Sequence, residues 1–90
     1  MTALDQVRAV ALLLPETVEQ PTADGADFLV DGEVFARVAA DAATVLRLRE
    51  PAGELAITLD ADVDWPLVED RIARSWELTA PRRLLEAGGR

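Results

Sequence analysis

The stretch Asp27-Phe28-Leu29-Val30-Asp31-Gly32-Glu33-Val34-Phe35-Ala36-Arg37-Val38 decides how this chain folds. Two runs rich in β-branched and aromatic residues flank Asp31-Gly32. An Asp-Gly pair accepts the positive φ angles that a two-residue hairpin turn requires. The pattern predicts strands over 27–31 and 33–38, with Val30 opposite Glu33 and Phe28 opposite Phe35.

Working outward, a third strand is predicted over 43–49. If Ala39 to Ala43 form the loop before it, Phe35 lies opposite Arg47 and Glu33 opposite Arg49. A fourth strand over 54–59 follows the turn at Pro51-Ala52-Gly53, with Leu55, Ile57 and Leu59 alternating against Ala56 and Thr58. Upstream, Thr2 is the N-cap of a helix to about Leu14, and Leu4, Val7, Ala11 and Leu14 form its apolar stripe. Pro15 stops that helix, and residues 15–26 read as an acidic connecting loop. Downstream, Asp62 or Asp64 caps a second helix with Pro66 in its first turn and Val68, Ile72 and Trp76 on its inner face. Pro81 breaks it, and residues 81–87 add a helical turn.

The expected fold class is therefore α+β, an antiparallel four-stranded meander with N- and C-terminal helices packed on one face, as one domain over 1–90. In this register Leu29, Val34, Ala36, Val38, Leu46 and Leu48 form the core face. Phe28, Val30, Phe35, Val45, Arg37, Arg47 and Arg49 occupy the other. A slip of one residue inverts the assignment.

Composition narrows the chemistry. The chain has no cysteine and no histidine, so thiolate and imidazole metal sites and a Ser-His nucleophile are excluded, and general acid–base work would fall on Asp and Glu alone. Ser75 is the sole serine, and its helical position predicts a small residue packed near the sheet. All nine basic residues are arginine and alanine is abundant, a bias that points to a GC-rich bacterial coding sequence. The apolar run from Val10 to Leu14 is too short for a membrane span, so a cytoplasmic protein with no membrane contact is expected. No catalytic residue, cofactor or metal is expected.

The net charge of −8 is unevenly placed. Residues 1–70 hold four arginines and fifteen acids, giving −11; residues 71–90 hold five arginines and two acids, giving +3. Such a chain is repelled at long range by nucleic acid and needs a local basic patch to bind it. Two patches qualify. Arg37, Arg47 and Arg49 beside Phe28 and Phe35 offer phosphate contacts and stacking to a strand of nucleic acid. The same face also suits cross-strand packing, a Glu33–Arg49 ion pair, or contact with a second subunit. Arg82 and Arg83, with Arg71, Arg74 and Arg90, make the second patch, which equally suits the negative end of a helix. The alternate acids of Asp60-Ala61-Asp62-Val63-Asp64 resemble the start of a calcium loop, but Trp65 and Arg71 occupy the positions that need glycine and glutamate. Helix-start charge is the expected role of these acids.

Three stretches, taken in order, resemble the MmcQ/YjbR family. Leu14-Pro15-Glu16 resembles its "LPG-x-x-E" start, and Phe28 to Val38 resembles its "F-x-V-x-G-K-x-F-A-R-L" hairpin. Ser75-Trp76-Glu77-Leu78-Thr79-Ala80-Pro81-Arg82-Arg83-Leu84 resembles its closing "x-W-x-L-x-A-P-K-R-L". The resemblance implies a CyaY/frataxin-like fold and DNA binding, for which the expected contacts are the sheet residues Arg37, Arg47, Arg49 and Phe35, or Arg82 and Arg83. Glu33 stands where that hairpin carries lysine, and the segment before the last strand is shortened to the turn around Pro51. The alternative expectation is a protein-interaction or small-ligand module of the same fold, with a protein partner or a second copy of the chain in place of DNA.

Overall fold

In the computed structural model, which describes residues 2–40 and 42–88, five antiparallel strands form one open sheet with helices against it. The order along the chain is α1 (Ala3–Ala11), β1 (Thr17–Thr22), β2 (Gly25–Val30), β3 (Glu33–Ala40), β4 (Thr44–Glu50), β5 (Gly53–Thr58), α2 (Trp65–Thr79) and α3 (Arg82–Gly88). The strands lie in the sheet in the order in which they occur in the chain. The class is α+β as expected, with one strand more than expected.

The additional strand is β1, inside the segment read as a loop. It pairs along its whole length with β2, from Thr17 opposite Val30 to Thr22 opposite Gly25. Its sequence, TVEQPT, is polar and contains Pro21, which signals a loop when read locally. At a sheet edge those features are tolerated, because one side of the strand has no ladder partner to lose. Glu19 has a specific reason to be there. Its carboxylate accepts from Arg8 Nε at 2.8 Å and Nη2 at 2.9 Å, tying β1 to α1.

Helix α1 starts on a reciprocal cap. Thr2 Oγ1 accepts from the Asp5 amide and Asp5 Oδ2 accepts from the Thr2 amide, each at 3.1 Å. Helix α2 starts at Asp64, whose Oδ1 accepts from the Leu67 amide at 3.3 Å. α2 lies across β3 and β4, and α1 packs against α2 and β2. Val68, Ile72, Ser75 and Trp76 form the buried side of α2. Trp76 is 6% exposed, and its indole N–H donates to the Pro15 carbonyl at 3.1 Å.

The hairpin turn is as expected, with φ of 53° at Asp31 and 81° at Gly32, both positive as a type I′ turn requires. Val30 pairs with Glu33 and Leu29 with Val34. The ladder then shifts, so that Phe28 faces Ala36 and Phe35 is the extra residue of a β-bulge. Phe35 and Ala36, adjacent in sequence, are thus both buried.

This bulge corrects the expected core. Ala36, Val38, Leu46 and Leu48 are buried as read, but Phe28, Val30 and Phe35 join them, while Leu29 and Val34 turn to the open side and are only half-buried. The β3–β4 register also differs, by two residues, with Arg37 opposite Arg47 and Ala36 opposite Leu48. A two-residue shift preserves the faces, so Arg37 and Arg47 remain together.

Candidate functional site

The open face of the sheet brings Arg37, Arg47 and Arg49 together with Val34 and Glu54 around one open hollow. Phe28 and Phe35, expected to stack beside them, are respectively fully buried and 1% exposed. The bulge turns Phe35 inward, so the patch has arginines and no aromatic platform. Val18, 62% exposed, and half-buried Leu29 and Val34 supply the apolar part of this face instead.

Each of these arginines already has a carboxylate. Arg37 grips Asp27 with two bonds, Nε–Oδ1 at 2.9 Å and Nη2–Oδ2 at 3.3 Å, and this raises the Arg37 pKa above its ordinary value. Arg47 lies 3.7 Å from Glu54 and Arg49 lies 3.4 Å from Glu33. Arg37 and Arg47 sit directly opposite, an unfavourable juxtaposition of like charges that Asp27 and Glu54 offset. Three arginines and three acids leave this face neutral in sum.

The second candidate patch is engaged in the same way. Arg82 pairs with Glu86 one turn along α3 at 3.1 Å. Arg83 holds both oxygens of Glu16, at 3.1 and 3.2 Å, and approaches Asp31 at 3.7 Å. The bonds from Arg83 lower the Glu16 pKa and raise that of Arg83. Glu16 has a φ of 55°, a left-handed conformation that costs a non-glycine residue about 1–2 kcal/mol. Arg83 thus fastens α3 to the turn after α1. Arg71 and Arg74, expected beside this pair, belong to a separate site on α2, and Arg90 lies outside the described residues.

The acidic run works locally. Asp60 Oδ1 accepts from the Asp62 amide at 2.9 Å, and Asp64 caps α2. Among the described residues no group of three or more acids is arranged to hold a metal ion. Ser75 is fully buried, with its hydroxyl bonded to the backbone of Phe35 and Arg49.

A groove between α2 and the β4–β5 edge went unrecognised in the sequence. One end, about 330 Å³, is bounded by Leu48, Arg49, Pro51, Arg74 and Leu78; the other, about 550 Å³, by Ile57, Val63, Asp64, Leu67 and Val68. Leu55, Glu50 and Arg71 border both. Among the described residues Arg71 and Arg74 are the two arginines with no carboxylate within 4 Å. The signal was present in the sequence as Leu67, Arg71, Arg74 and Leu78 at i, i+4, i+7 and i+11, one stripe of a helix. It is overshadowed there by the stronger inward stripe of Val68, Ile72 and Trp76.

Comparison of the chain with family models, with curated proteins and with solved structures gave no match. Among the described residues no helix is long and apolar enough to cross a membrane.

Proposed function

We propose that this chain is a non-enzymatic protein-interaction domain that does not bind nucleic acid. The observation behind this choice is the state of the arginines. Arg37, Arg47, Arg49, Arg82 and Arg83 each lie within 4 Å of a carboxylate of the chain itself. Phosphate binding at these positions would require breaking those pairs against a net charge of −8, without the stacking of Phe35. A protein partner requires no such break, since a non-obligate protein interface is about as apolar as the rest of a protein surface.

The absence of histidine and cysteine and the engagement of Ser75 by the backbone support the non-enzymatic part. The three stretches that resemble the MmcQ/YjbR family, taken in order, support a CyaY-like two-layer arrangement, to which β1 adds a further strand. Cytoplasmic residence belongs to the same proposal.

Titration of labelled duplex and single-stranded DNA at two salt concentrations tests it. No saturable binding is expected even at about 50 mM salt, where a few phosphate contacts would be strongest. Saturable binding that disappears in Arg47→Ala/Arg49→Ala would overturn the proposal and restore the sheet face as a DNA site.

A further inference from the structure

The helix layer is too narrow for the sheet. Strands are spaced about 4.8 Å apart and a helix with its side chains is about 10 Å wide, so one helix covers about two strands. α1 lies on β2 and α2 lies on β3 and β4, leaving β5 at the edge under neither axis. Leu55 and Ile57, the β5 residues paired to buried Leu48 and Leu46, consequently remain half-exposed. On the wall beside them, Leu67 and Leu78 are 47% and 46% exposed. Between those leucines stand Arg71 and Arg74, the two arginines that are unpaired among the described residues.

We infer that this groove docks an amphipathic acidic helix of a partner protein, which completes the helix layer over β5. The inference rests on the interaction-domain reading and names its site and partner. Charge complementarity selects the occupant. The stripe Leu67–Arg71–Arg74–Leu78 presents apolar, cationic, cationic and apolar side chains in succession. Its complement on a facing helix is leucine, two carboxylates and leucine at the same spacing. Glu50 and Asp64 also border the groove, but Asp64 is engaged as the cap of α2 and neither carboxylate lies within 4 Å of the Arg71 or Arg74 guanidinium, leaving both arginines free to pair. A nucleic-acid backbone would satisfy the arginines and leave Leu67, Leu78 and Ile57 wet. The length of the stripe, eleven residues at 1.5 Å rise, is about 16 Å, so three to four turns of partner helix span it.

The probe is a synthetic, alanine-rich helical peptide of about 18 residues with leucines at i and i+11 and glutamates at i+4 and i+7. Its binding to the full chain is measured by fluorescence anisotropy, and the bound site is mapped by amide chemical shifts. Saturable micromolar binding is expected, with shifts at Leu55, Ile57, Leu67 and Leu78. Arg71→Glu/Arg74→Glu, both on the surface, should weaken it at least about tenfold with the melting temperature retained. A peptide carrying arginines in place of the glutamates should ignore the parent and bind that double variant.

Three results would overturn the inference. The first is no saturable binding, or equal binding of acidic and basic peptides. The second is shifts confined to the open sheet face. The third is a dimer of the chain by light scattering that the double variant converts to monomer, which would make the occupant a second copy. DNA binding lost in the double variant would instead defeat the interaction-domain reading itself, so the two failures are distinguishable.

Discussion

The Ser75 hydroxyl donates to the carbonyl of Phe35, the residue displaced by the β2–β3 bulge, and accepts from the Arg49 amide at 2.8 Å. The β3–β4 ladder ends at Ala36 opposite Leu48, and its continuation would set Phe35 opposite Arg49. Ser75 stands between these two backbone groups and satisfies both, so α2 supplies the bonds that the ladder lacks there. A buried polar side chain is retained because it has a structural task. Ser75→Ala leaves a carbonyl and an amide without that partner and is expected to lower the unfolding free energy by about 1–3 kcal/mol. A denaturant melt within about 0.5 kcal/mol of the parent would show that the two groups find other partners.

Trp76 joins packing to a hydrogen bond, and two substitutions separate them. Trp76→Ala empties a site between α2 and the sheet and is expected to cost about 3–5 kcal/mol, enough to unfold a domain of this size. Trp76→Phe keeps most of the ring but removes the donor to Pro15, at an expected cost nearer 1 kcal/mol. Equal losses in the two melts would place the ring outside the core.

Gly25 is required by close approach. A Cβ there would stand 1.9 Å from the Val38 carbonyl oxygen and 2.8 Å from its carbon, both backbone atoms that cannot move aside cheaply. Gly25→Ala is therefore expected to destabilise by about 1–3 kcal/mol through overpacking. At Gly32 nothing lies within 4 Å of an added Cβ, and only its φ of 81° resists substitution. Gly32→Ala is expected to cost about 1 kcal/mol. A larger loss at position 32 than at 25 in thermal melts would contradict this ranking.

Acid should loosen the ends of the molecule first. Glu16, bonded by Arg83, and Asp5, bonded by the Thr2 backbone and hydroxyl, both have lowered pKa values in the folded state. A carboxylate lowered in this way contributes its stabilisation fully above the ordinary value, 4.5 for Glu16 and 3.8 for Asp5, and loses it as pH falls through the folded value. The melting temperature should therefore fall as pH drops from about 4.5 toward 3, with Glu16→Gln removing part of that slope. An unchanged slope in Glu16→Gln would show that the Arg83 contact makes no net contribution in solution.

Local chemistry determined much of this protein from its sequence. Thr2 and Asp5 start α1, Asp31-Gly32 turns the hairpin, and Val68, Ile72 and Trp76 set the inner face of α2. Each signal acts over a few residues and needs no distant partner. Period-two alternation likewise placed Arg37, Arg47 and Arg49 on one face. Three features were decided only by tertiary structure. β1 is a strand because β2 offers it an edge and Arg8 neutralises Glu19, neither of which TVEQPT reveals alone. The bulge at Phe35 exists because burying Phe28, Phe35 and Ala36 together outweighs one ladder pair, and Ser75, forty residues away, supplies the lost bonds. Which arginines are engaged depends on Asp27, Glu33, Glu54, Glu16 and Glu86 meeting them in space. Charge counted along a chain gives its long-range field, whereas freedom to bind is set at about 4 Å, by whichever carboxylate the fold brings within reach.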